Sequence, residues 1–161
     1  MNLRIKLIIP AIIFMATFSF AQEKSPYKFG KVSPEDLQKK VYSIDSNANA
    51  VVLSDIGTTE FEGNTKGWFT LHFKRTTRIH ILNKNGYDAA NVSINLWKGD
   101  ELEEELASVK AVTYNLVNGN VTETKLDKSN IFKDKKDKNW FVKKFTLPDI
   151  KDGSIIDELA A

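Results

Sequence analysis

One segment, residues 67–97, limits what this chain can fold into more than any other. Apolar and polar residues alternate along it, break at Asn85-Gly86, and alternate again. In the first half Phe69, Leu71, Phe73, Ile79 and Ile81 share one face, while Thr70, His72, Lys74, Arg78 and His80 share the other. A period of two over this length predicts a strand with one buried and one solvated face, the antiparallel pattern. In the second half the inward set is Ala90, Val92, Ile94 and Leu96. If the two halves pair side by side, only an even-length loop keeps both apolar sets on one face. The expectation is therefore a hairpin turning on Asn85-Gly86, or on a four-residue loop from Lys84 to Tyr87. That register sets Arg78 opposite Ser93, Thr76 opposite Asn95 and Lys74 opposite Trp97.

The rest of the chain is organised around further strands. Ser33-Pro34-Glu35-Asp36 starts a helix, with an N-cap serine, proline at the first helical position and acids in the first turn. Leu37, Val41 and Ile44 then predict an amphipathic helix of two to three turns. Residues 50–56 read as a buried strand ended by Gly57, and residues 58–62 as a short edge strand before a Gly63-Asn64 turn. Lys98-Gly99-Asp100 is a turn. Residues 107–117 and 120–126 flank Asn118-Gly119, the strongest short-range hairpin signal. A strand over residues 140–147 stops at Pro148, and residues 153–158 read as a strand cut short. The expected fold is mainly β: an antiparallel β-sandwich-like module with one short N-terminal helix.

The N-terminus reads as a signal peptide over residues 1–21. Arg4 and Lys6 form a basic start, residues 7–20 are apolar, and Ser19-Phe20-Ala21 supplies small residues for a cut before Gln22. The apolar run is shorter than the roughly 20 residues a spanning helix needs, and it contains Pro10. No cysteine follows it to carry a lipid anchor. The expected product is exported, periplasmic or secreted, with no integral membrane span after cleavage. Residues 22–49 are a lead-in and the short helix. Residues 50–161 form the β-sandwich-like domain, expected to be incomplete at its C-terminus and so to leave an unpaired edge at residues 142–147 or at the Gly153 strand, the alternative being a natural short paralogue.

Cleavage also settles the charge. The full chain has 23 basic and 21 acidic residues, and loss of Arg4 and Lys6 leaves 21 of each. A neutral chain gives no support for a nucleic-acid or anionic-membrane partner. Removing the first 21 of 161 residues leaves 140, enough for one packed core. Absence of cysteine excludes thiol catalysis, disulfides and Cys-ligated metal.

Several segments together resemble domain-of-unknown-function family 3857. They are Phe73-Lys74-Arg75 leading to Arg78-Ile79-His80-Ile81 and Asn85-Gly86; Ala111-Val112-Thr113-Tyr114-Asn115 before Asn118-Gly119; and Phe145-Thr146-Leu147-Pro148 before Gly153-Ser154-Ile155-Ile156. The resemblance spans residues 51–158. It implies an N-terminal domain of exported, Bacteroidetes-type transglutaminase-like proteins, normally followed by a Cys-His-Asp domain. No catalytic residue carries over, since the family's nucleophile lies beyond this domain. The implied partner is a C-terminal transglutaminase-like domain or another envelope protein.

No constellation in the chain speaks for catalysis, and no cofactor is implied. His72 and His80, the only histidines, are separated by roughly 26 Å along a straight strand, too far to share a metal. Asp100, Glu101, Glu103, Glu104 and Glu105 lack the spacing and turn of a calcium loop. Residues 133–138 read as a soluble hairpin tip. The one candidate binding face combines Trp68, Arg78 and Trp97, aromatic rings beside a polar donor that suit a glycan or a peptide. Its plain alternative is that Trp97 packs under a loop or a second sheet. The leading functional expectation is a non-catalytic exported accessory or scaffold module; the alternative is a stand-alone periplasmic glycan- or peptide-binding module.

Overall fold

A computed structural model describes residues 27–65 and 67–161. The signal-peptide reading over residues 1–21 lies outside them. Helix α1 (Pro34–Gln38) is followed by strands β1 (Ala50–Gly63), β2 (Phe69–Ile81), β3 (Asn91–Trp97), β4 (Val109–Val117), β5 (Asn120–Lys125), β6 (Phe132–Lys135), β7 (Trp140–Thr146) and β8 (Ile155–Ala160). All pairings are antiparallel. One sheet has the order β1-β2-β8-β4-β5 and the other β3-β7-β6. The fold is mainly β and sandwich-like, with one short helix. No helix among the described residues is long and apolar enough to cross a membrane.

The central core holds residues of both sheets: Ile81 from β2, Ala111 from β4, Ile156 from β8 and Phe145 from β7, with Ile79, Val92 and Ile94 packed against them. A second cluster covers the opposite face of the larger sheet. There Val112, Tyr114 and Ile155 meet Leu37 of α1, with Phe29 and Val32 of the N-terminal segment. The centre of the larger sheet is thus covered on both faces. That explains why Ile155 and Ile156, adjacent and pointing oppositely, are 0% and 2% exposed.

The expected β2–β3 hairpin does not form. β2 pairs with β1 on one side and, over Arg75–His80, with β8 on the other, where the hairpin register would have set β3; β3 pairs with β7 in the second sheet. Asn85 and Gly86 lie in a 3-10 helix, Lys84–Ala90, whose N-cap Asn83 accepts a hydrogen bond from the Asn85 N–H at 2.9 Å. Gly86 is buried there, and a Cβ would collide with the Asn49 carbonyl. The inward sets Ile79/Ile81 and Val92/Ile94 do reach one core, facing each other across it rather than side by side.

Other boundaries shift for similar reasons. Residues 58–62 are no separate edge strand; β1 runs unbroken to Gly63, with an irregularity between Val52 and Ser54. The helix start is as expected, a capping box between Ser33 and Asp36, but α1 ends at Gln38, leaving Val41 and Ile44 58% and 85% exposed. Asn118 (φ +52°) and Gly119 (φ +79°) make the two-residue turn from β4 to β5. The expected open edge at β7 or β8 is absent: β7 lies between β3 and β6, and β8 lies between β2 and β4.

Candidate functional site

The polar face of β2 divides in the middle of the strand. Near its C-terminal end Arg78 is only 4% exposed. Its Nε and Nη2 donate to Oδ1 and Oδ2 of Asp157 on β8 at 2.5 and 2.6 Å, the bidentate geometry that suits guanidinium and carboxylate. Nη1 and Nη2 also donate to the carbonyls of Lys31 and Lys28, at 2.8 and 3.0 Å. Asp157 in turn accepts the Gly30 N–H at 2.9 Å, with Gly30 at φ +82°. The Tyr27 ring lies 5.4 Å from the guanidinium. The pair therefore fastens residues 27–31 over the larger sheet. Arg78 belongs to that anchor and presents no accessible group, which removes it from the expected binding face.

His80, two residues further on, is 0% exposed. Its Nδ1 lies 2.8 Å from the Tyr42 hydroxyl, and the two rings meet edge to face. Burial holds its pKa below the ordinary value of 6.5; the Gly153 backbone and Asp36 oppose this only in part, and Lys39 reinforces it. A neutral, enclosed imidazole is a packing element with a polar contact. On the opposite, core-facing side of the same sheet, Asn115 donates to the Asp149 carbonyl and accepts from the buried Ser154 hydroxyl at 2.6 Å. Tyr114, on the same side as His80, is buried, which raises its pKa strongly.

The other half of β2 behaves differently. Residues 69–74 pair only with β1, because β8 reaches no further than Arg75. A two-stranded ribbon therefore projects from the sheet. On one face lie Phe61, Phe69, Leu71 and Phe73, exposed by 74%, 75%, 55% and 53%. Cross-strand pairing of Phe61 with Leu71 and of Thr59 with Phe73 makes them one patch, and the Phe73 ring lies over Gly57. The reverse face carries Glu60, Glu62, His72 and Lys74, with His72 3.2 Å from the Glu62 carboxylate. Trp68 sits in the turn, 75% exposed, its N–H bonded to the Asn64 side chain at 3.1 Å.

Trp97 belongs to neither region. It ends β3 on the outer face of the smaller sheet, directly opposite Trp140, beside the pairs Asn95–Val142 and Ser93–Lys144. Its ring covers Gly99, where a Cβ would collide with it. A shallow open groove on this face is lined by Ser93, Asn95, Asp134, Lys135, Lys136 and Lys144. Trp68, Arg78 and Trp97 are thus not brought together: one is at the ribbon tip, one is buried and one is on the second sheet. Asp157, Tyr42 and Trp140 are the partners sequence reasoning missed. For Trp140 a signal exists, since Trp140, Val142 and Lys144 alternate with the inward Phe141 and Phe145.

Two members of the acidic run are engaged locally. Glu103 binds Lys98 at 2.5 Å, which lowers its pKa, and Glu104 accepts the Trp97 N–H at 2.8 Å. No group of three or more metal-ligating side chains forms among the described residues. The chain matches no family model, no curated protein and no solved structure.

Proposed function

We propose that this chain is a non-catalytic, exported accessory or scaffold module, periplasmic or secreted, that works through protein contact. Its resemblance to the N-terminal domain of transglutaminase-like proteins points the same way. The observation that carries the reading is the ribbon: four large apolar side chains, 53–75% exposed, on one face of an element with a charged reverse face. A patch of this kind marks an interaction surface rather than a solvated one. A photo-crosslinking residue placed at Leu71 in the exported chain will capture protein, and the same residue at Thr70 on the reverse face will not. Equal capture at both positions, or none at Leu71, overturns the proposal. N-terminal sequencing of the exported chain tests the compartment, with Gln22 the expected first residue.

A second reading has its own observation. Trp97 and Trp140 face outward together beside Ser93 and Asn95, an arrangement of rings and polar donors suited to a glycan or an extended peptide. Trp97→Ala/Trp140→Ala, compared with Trp68→Ala on glycan and peptide arrays, separates the readings. Binding by the parent that is lost only in the double variant favours this face.

A further inference from the structure

We propose that the apolar face of the β1–β2 ribbon is covered by the same face of a second copy of this chain, in a two-fold dimer. This rests on the protein-contact reading above and names the partner. The argument begins with continuity. Along β2 the odd-numbered residues all point to one side; at Ile79 and Ile81 that side is the core, covered by the smaller sheet. At Phe69, Leu71 and Phe73 the same side continues past the covering sheet and lies open. What belongs over it has the chemistry of a sandwich's inner face, and a second ribbon supplies that chemistry.

Charge narrows the choice. A two-fold interface sets the patch against a copy of itself, so an uncompensated net charge on it would repel. The charged groups on this side lie at the root of the ribbon: Arg75 and Asp55 pair through hydrogen bonds of 2.8 and 2.6 Å, with the partly buried Glu158 of β8 beside them. The remaining surface, Phe61, Phe69, Leu71 and Phe73 with Thr59, is uncharged and so compatible with itself. Size agrees: at the stated exposures, and with about 200 Å² for a fully exposed aromatic ring, the four side chains leave roughly 500 Å² open per copy. Two copies cover about 1,000 Å², the lower bound for a specific interface and the size of a weak, reversible dimer.

The chain contains no cysteine, so one introduced thiol is unique. Sedimentation equilibrium of the exported chain up to about 100 μM will show a monomer–dimer equilibrium, as expected of an interface of this size. Phe69→Ser/Leu71→Ser will remove the dimer over that range while leaving circular dichroism unchanged, and the melting temperature unchanged at concentrations where the parent is monomeric. Leu71→Cys, mildly oxidised, will form a disulfide-linked dimer, and Thr70→Cys on the reverse face will not. A parent chain monomeric throughout, or a dimer that survives the double serine change, overturns the proposal. A monomer whose Leu71 position still captures a different protein overturns the second copy and leaves the scaffold reading standing. Loss of all capture overturns both.

Discussion

The two halves of β2 carry the same alternation and end in opposite surroundings. In residues 76–81 both faces are inside: Ile79 and Ile81 enter the core, while Arg78 and His80 lie beneath the N-terminal segment. In residues 69–74 both faces are largely outside, so Phe69, Leu71 and Phe73 meet solvent as fully as His72 and Lys74 do. The alternation assigns each side chain to a face. Whether that face is covered depends on neighbours that are distant in sequence: β8 and the N-terminal segment reach one half and neither reaches the other. Arg78 and His80, on the polar face, are therefore structural, and Phe69, Leu71 and Phe73, on the apolar face, are accessible.

Breaking the Arg78–Asp157 pair should produce the largest effect. Asp157→Asn leaves a guanidinium 4% exposed without its counter-charge and weakens the hold on residues 27–31. Loss of one partner of a buried pair costs about 3–5 kcal/mol, or about 10–20 °C in melting temperature for a domain of this size. Arg78→Met/Asp157→Leu, which removes both charges, should recover a large part of that loss. If Asp157→Asn melts within a few degrees of the parent, the anchor is not what holds the segment down.

Next in size is truncation within the covered half of the apolar face. Ile81 is 0% exposed in the main core. Ile81→Ala should cost about 2–5 kcal/mol, the transfer of the lost methyl groups plus a cavity that the surrounding sheet cannot fully close. Denaturant unfolding with an unchanged slope and a lower midpoint is the expected outcome.

What was legible in the sequence follows the same division between local and non-local causes. The Ser33 cap and the Asn118-Gly119 turn depend on residues within four positions of each other, and both are as the sequence predicts. The strand positions of β2, β3, β4 and β7 were legible too, as was which residues of β2 and of β3 share a face, because a period of two is local. Partner choice was not. Nothing near Asn85-Gly86 tells that β8, some seventy residues later, takes the edge β3 would have used; the short-range turn signal lost to that long-range pairing. The candidate site failed for this reason. Trp97 was placed opposite Lys74 by an assumed register, whereas its true neighbour is Trp140. Arg78 reads as a surface cation until Asp157 is known to lie beside it.

A smaller effect is expected from pH. The folded-state pKa of His80 lies below its ordinary 6.5, so between those two values the unfolded chain binds more protons than the folded one. Its contribution is therefore complete above pH 6.5 and declines as pH falls through the window beneath. Tyr42, Asp36, Lys39 and the Gly153 backbone are the groups that face it. Glu158 works in the opposite sense: burial raises its pKa above 4.5, outweighing Arg75, so its contribution is lost as pH rises through that raised value. Replacing His80 with Gln isolates the histidine. The melting temperature of the parent should fall more steeply than that of His80→Gln from pH 7 to pH 5, whatever the absolute stability of the variant. Parallel profiles would show that the imidazole titrates alike in both states.

The smallest expected effect on stability is the sharpest test of the comparison. Leu71 lies on the same face of the same strand as Ile81, ten residues earlier, and is 55% exposed, opposite Phe61 on β1. If covering by the second sheet is what gives this face its energetic weight, Leu71→Ala should change monomer stability by no more than about 0.5 kcal/mol, as at other surface positions. The measurement belongs at a protein concentration low enough to keep the chain monomeric, because self-association would add its own stabilisation to the parent. Repeating it at high concentration should separate parent and variant, with the parent alone gaining. A large loss at low concentration would mean that the ribbon's apolar face packs within one copy, and the two halves of β2 would then differ less than their exposures indicate.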